Sequence, residues 1–104
     1  MIKLFESEEE ALNAIPKGAI RKLIVKGKEL VITHSSNGLS VTEPLCPHMK
    51  EPLHKGNLNA FNEIICSLHE YRFNLSTGVE SSNRCHDLTI YKLMVSDDGV
   101  YIEL

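Results

Sequence analysis

Cys46 and His48 form a Cys-x-His pair, and seventeen intervening residues separate it from a Cys-x-x-His pair that begins at Cys66 and ends at His69. No other feature constrains the fold as much. Each pair follows an apolar stretch, Leu39 to Leu45 before the first and Ile64-Ile65 before the second, so each falls where a strand is expected to give way to a loop. A thiolate is a soft, anionic ligand suited to iron–sulfur centres and zinc, while imidazole suits iron, zinc and copper. Each loop offers one of each, so a shared metal group requires two loops that face one another. The chain carries a weak internal echo to match. One strand end runs into Cys46-Pro47-His48 and later Leu53 and Gly56; the other runs into Cys66-Ser67-Leu68-His69 and later Leu75 and Gly78.

The rest of the pattern is that of an all-β sandwich or barrel. Ile2 to Phe5 reads as a strand, and Ser7 with Glu10 makes a capping box ahead of Ala11, Leu12 and Ile15, which predicts a helix of one or two turns stopped by Pro16 and Gly18. Ala19 to Val25 and Glu29 to Thr33 form a hairpin across Lys26-Gly27-Lys28, and Ser35 to Gly38 makes the next turn. Arg72 to Leu75 leads to a turn at Thr77-Gly78, and Leu88 to Val95 pairs with Val100 to Leu104 around Asp97-Asp98-Gly99. Short strands with closely spaced turn signals are the signature of that class.

With 104 residues and no linker or low-complexity tract, a single domain spanning 1–104 is expected. A chain of this size buries roughly 60–70% of its unfolded surface. Eleven basic against fourteen acidic side chains leave a net charge of -3, which supplies no counterion-release drive toward nucleic acid. No stretch approaches the ~20 apolar residues of a membrane helix. Glu6 and Glu8 to Glu10 stand where a secretory signal would be basic and then apolar, so a cytoplasmic address is expected. Three cysteines cannot all pair within one chain, and such an address keeps thiols reduced, so metal ligation is the leading use for Cys46 and Cys66.

From Pro44 to Gly78 the chain resembles the cluster-binding segment of Rieske proteins. Beyond the four candidate ligands, Pro47, Pro52-Leu53, Gly56, Arg72-Phe73 and Thr77-Gly78 match that family's habit, and Leu88, Tyr91 and the Asp97–Val100 turn resemble the closing hairpin of Rieske ferredoxins. The resemblance implies an antiparallel β base carrying a small cluster-binding subdomain at about 44–78, with at most one short helix. It also implies one 2Fe-2S cluster per chain, with Cys46 and Cys66 on one iron and His48 and His69 on the other, the imidazoles at an exposed tip. The implied function is that of a monomeric electron carrier, not an enzyme, passing single electrons between a reductase and a terminal oxygenase or similar acceptor. A small subunit of a nitrite-reductase-like complex and a zinc-binding interaction module are the alternatives. A terminal oxygenase needs a further mononuclear-iron domain that 104 residues cannot hold.

Several positions depart from the family pattern. Glu51 and Leu68 stand where cytochrome-complex members place an additional disulfide. Lys50 and Glu70 replace glycines that Rieske ferredoxins commonly carry, at a cost of about 1–2 kcal/mol wherever the backbone keeps a positive φ. Ser81-Ser82-Asn83-Arg84 replaces a proline-rich loop, which predicts less shielding of the cluster there. The serine and tyrosine that donate to sulfur in high-potential members are replaced by Tyr71 and Phe73. Among the remaining candidates, Cys85 is expected to be a small buried thiol and His86 a surface imidazole. His54 and His34 are expected to be ordinary loop and turn residues, and Glu6 to Glu10 a solvated helix start. Tyr71 is open to either packing or partner contact.

Overall fold

Residues 1–104 are described by a computed structural model in which nine strands and one α-helix follow one another along the chain. They are β1 (Ile2–Phe5), α1 (Glu8–Ala14), β2 (Ile20–Val25), β3 (Lys28–Ser35), β4 (Gly38–Thr42), β5 (Asn57–Leu58), β6 (Glu63–Ile65), β7 (Arg72–Asn74), β8 (Ile90–Ser96) and β9 (Gly99–Glu103). Six strands make one antiparallel sheet in the order β1-β9-β8-β4-β3-β2, and β5-β6-β7 make a second. The large sheet curls into a half-barrel. This is the expected all-β class with one short helix.

Local sequence explains the elements that were legible in advance. Ser7 accepts a hydrogen bond from the Glu10 backbone N–H at 3.0 Å, while the Glu10 carboxylate accepts from the Glu6 N–H at 3.3 Å, so the capping pattern nucleates α1. Lys26 and Gly27 take φ of 51° and 78°, the left-handed pair that a two-residue hairpin needs to match strand twist. Val25 therefore pairs directly with Lys28, one residue tighter than the span expected from sequence. Two expected strands shift in their bounds. β4 stops at Thr42, ahead of Pro44, which has no N–H for a ladder, and β8 starts at Ile90 instead of Leu88, whose N–H is committed to Gly78 O at 2.8 Å. The pairing of β5 and a 3-10 turn at Leu53–Lys55 had no sequence signal.

β3 joins the two halves of the core. Leu30 and Ile32 point into one buried cluster with Ile15, Val25, Val41 and Ile102, inside the half-barrel. Val31, on the opposite face, joins Cys46, Leu53, Ile64, Cys66, Phe73, Leu75 and Leu88 under the small sheet. A one-residue slip of β3 would exchange the two faces and disrupt both clusters. Polar contacts fasten the same junction: buried Ser35 donates to the Asn62 side chain, which in turn donates to Ser76 at 2.9 Å. No helix is long and apolar enough to cross a membrane.

Candidate metal centre

The two cysteine–histidine loops are built alike. Leu45 bridges Pro52 around residues 46–51, and Ile65 pairs with Arg72 around residues 66–71, so the loops have equal length. In each, the cysteine N–H donates to the carbonyl of the last loop residue, Cys46 to Glu51 at 2.9 Å and Cys66 to Tyr71 at 2.8 Å. In each, the residue before that acceptor is left-handed: Lys50 at φ 57° and Glu70 at φ 54°. Both positions that lack the family's glycine thus carry the positive φ, and His69 adds a third at 65°. A close-approach glycine follows each loop. A Cβ on Gly56 would lie 2.1 Å from the Ile65 carbonyl oxygen, and one on Gly78 would lie 2.0 Å from that of Leu88. The echo seen in sequence is a repeated backbone device, and the glycines let neighbouring strands pack against both loop ends.

This construction brings the candidate ligands together in two pairs, cysteine with cysteine and histidine with histidine. Cys46 and Cys66 are fully buried members of one core cluster, and neither is paired in a disulfide. Burial pushes the Cys66 thiol above its ordinary range, and the adjoining Cys46 adds to the shift, so the Cys66 sulfur is unsuited to carry charge without a compensating cation. His48 and His69 lie with ring centroids 5.4 Å apart, tilted by 54°. His69 is exposed, whereas His48 buries its Nδ1 with no hydrogen-bond partner. An orphaned buried nitrogen is rare in a finished structure and is what a metal ligand leaves when its ion is not drawn. The donors fall into a sulfur pair and a nitrogen pair, an arrangement that fits a two-iron group.

The other candidates lie outside this constellation. Cys85 is half-buried at the edge of the sulfur-bearing cluster, and His86 is exposed. His34 donates from Nδ1 to the Ile15 carbonyl at 2.8 Å, and half-buried His54 lies in the 3-10 turn. Sequence reasoning missed Glu80, whose side chain is 0% exposed and ion-paired with Arg84 at 2.7 Å. Tyr71 packs: its ring stacks on His48 at 3.8 Å with 9° between planes, and the Arg84 guanidinium lies 3.7 Å from its centroid. The segment replacing the proline-rich loop therefore does cover part of the site, through Arg84. Only the serine-for-proline replacement hinted at it.

Comparison with known proteins agrees with this geometry. Over 68 residues, 65% of its length, the chain is 37% identical to the ferredoxin component of the naphthalene 1,2-dioxygenase system of Pseudomonas aeruginosa, and it spans 64% of that relative. Its fold superposes on the ferredoxin of carbazole 1,9a-dioxygenase from Nocardioides aromaticivorans IC177 with a TM-score of 0.79 at 22% identity, covering 98% of this chain and 97% of that one. A ferredoxin solved in complex with the oxygenase of carbazole 1,9a-dioxygenase gives a TM-score of 0.76 at 25% identity, over 98% of this chain and 100% of that one. The Rieske [2Fe-2S] domain pattern matches residues 8–92, which implies a 2Fe-2S cluster as the cofactor. The paired sulfurs, the paired imidazoles and this match place the chain in the Rieske [2Fe-2S] domain family.

Proposed function

We propose that the protein is a one-electron carrier in which Cys46 and Cys66 hold one iron of a 2Fe-2S cluster and His48 and His69 hold the other. The observation that carries this reading is the layering of the site, with two buried thiols in one core cluster and two imidazoles beside each other, one of them exposed. A bound cluster of this type supplies one reversible electron. The chain's own residues do the remaining work. The core around Phe73, Ile64 and Leu75 excludes water from the sulfur side. His69 presents an imidazole edge to solvent, flanked in its partner loop by Met49, 55% exposed, and Leu45, 38% exposed. That surface suits brief contact with another redox protein. The two surface concavities, of about 280 and 330 Å³, are lined by other residues, so the site offers an edge and not a substrate pocket.

The partners follow from the relatives. A related ferredoxin component belongs to a dioxygenase system, and a structural neighbour is solved in complex with its oxygenase, which supports a reductase as donor and a terminal oxygenase as acceptor for this chain. Residues 1–104 act as a single domain, with 44–78 as the cluster-binding part. The test is direct. Anaerobically purified protein is expected to contain two irons and two acid-labile sulfides per chain, to give a Rieske paramagnetic signal on one-electron reduction, and to be reoxidised by a dioxygenase of the naphthalene or carbazole type. Stoichiometric zinc with no visible absorbance would overturn the ligand assignment.

A further inference from the structure

Four side chains from three segments line up beside the proposed ligands. The Tyr71 ring has His48 against one face, 3.8 Å away and nearly parallel, so the Arg84 guanidinium, 3.7 Å from the same centroid, must occupy the other. Arg84 does not float there as a surface cation. Its Nη2 donates to Glu80 Oε2 at 2.7 Å and its Nε to Oε1 at 3.2 Å, a forked pairing that fixes the guanidinium plane. Glu80 is fixed in turn. It is fully enclosed and accepts from the Arg84 N–H at 2.8 Å, the Ser82 N–H at 3.2 Å and the Ser81 hydroxyl at 3.1 Å. Capping the 80–84 turn needs only the backbone donors. The forked guanidinium exceeds that need, and the direction it extends is along the stack toward His48.

We infer that Tyr71 and Arg84, anchored by Glu80, are positioning residues for His48, fixing the plane of its imidazole and closing its outer face to water. The inference rests on His48 being a cluster ligand. His48 Nδ1, buried and without a hydrogen-bond partner, is the nitrogen left to face iron, and one bond there would leave the ring free to turn about it; the stacked face of Tyr71 fixes that rotation. The clamp is one-sided, because His69 has no comparable stack and stands exposed. The two imidazoles are therefore inequivalent, one held and one free for a partner. The clamp also places the cationic end of the Glu80–Arg84 pair nearer the site than its anionic end. A positive charge two stacking steps from His48 favours the more negative reduced state.

The test uses the full cluster-loaded protein. Nitrogen hyperfine couplings are read by pulsed paramagnetic resonance, with midpoint potential and iron release to a chelator measured alongside. Tyr71→Ala is expected to change the coupling of one histidine nitrogen and leave the other, and to release iron about tenfold faster, the low end of what a lost orienting partner costs a metal site. Tyr71→Phe keeps the stack and should match the wild type in both readouts. Arg84→Gln is expected to lower the reduction equilibrium by up to about tenfold, 59 mV for one electron, with Arg84→Lys recovering part of it. Unchanged couplings, potential and iron release in Tyr71→Ala overturn the inference. If Tyr71→Ala does not assemble, Arg84→Gln made together with Glu80→Gln decides, since it removes the cation over Tyr71 without leaving the enclosed carboxylate unpaired; an unchanged potential there overturns it equally. His48→Ala separates the two readings, because wild-type couplings in that variant would refute the ligand assignment itself.

Discussion

Replacing Lys50 and Glu70 with glycine should make this protein more stable, although both replacements remove a charged side chain next to the cluster loops. Both residues hold φ near 55° with their side chains exposed, and no hydrogen bond from either side chain offsets the conformation. An L residue in the left-handed region costs about 1–2 kcal/mol. Glycine avoids that cost but gives back about 0.4–1 kcal/mol through its freer unfolded chain. The net gain is about 0.5–1 kcal/mol at each site, or about 2–8 °C in melting temperature for a domain of this size. The loops are neighbours, so the double variant measures their coupling as well as their sum. Thermal melting of cluster-loaded protein at one scan rate is the assay, with Lys50→Ala and Glu70→Ala as controls that remove the charge and keep the strained φ. Glycine variants that melt no higher than their alanine controls would refute the reasoning, and would mean that the loops relax out of the left-handed region once the side chain is gone.

The reduction potential is expected near the low end of the Rieske range, about -150 mV rather than +300 mV. Tyr71 is committed to its stack on His48, and buried Phe73 has no hydroxyl to donate to sulfur. Protein-film voltammetry should show Phe73→Tyr raising the value, and a wild-type midpoint well above 0 mV would contradict the argument. Acid should weaken the fold through Glu80. Hydrogen bonds from Arg84 hold its carboxyl down to about 2, well below the ordinary carboxylate range, so its stabilisation is complete above that ordinary range and lost as pH falls toward 2. That is about 3 kcal/mol in all; urea unfolding between pH 2 and 6 should show Glu80→Gln less stable at pH 6 and less sensitive to acid, whereas parallel pH profiles would count against it. Cys85→Ser should keep the cluster, because Cys85 lies outside both ligand pairs, while His69→Ala should lose a normal Rieske signal. Loss of the signal in folded Cys85→Ser would reassign the ligands.

The readable parts of the sequence were those whose physics is local. Ser7 and Glu10 announce α1 because a capping box acts within one turn, and Lys26-Gly27 announces the β2–β3 hairpin because only a left-handed pair closes it. Cys46, His48, Cys66 and His69 could be named from donor chemistry and spacing, since each pair lies within a single loop. The echo also placed Gly56 and Gly78 after the two loops, and the structure shows why glycine is needed there, in their close approach to Ile65 and Leu88. The sequence also raised the condition on Lys50 and Glu70 without being able to decide it, because a residue's type does not set the sign of φ.

Tertiary structure decided what depends on residues far apart in the chain. Val41 meets Tyr91 and Ile2 meets Ile102 through sheet pairings whose partners no local pattern specifies. Nothing local in the sequence singles out Glu80 or the side chain of Arg84, yet folding encloses the carboxylate and turns the arginine over Tyr71. The difference between His48 and His69 arises in the same way: both are histidines two or three residues after a cysteine, and only the packing of a distant segment leaves one held and the other exposed. Sequence alone determined the fold class and proposed the donor set, because both follow from chemistry repeated over short distances. The orientation of each donor depended on the whole chain, because it is fixed by contacts that exist only once the loops, the small sheet and the 80–84 turn have come together.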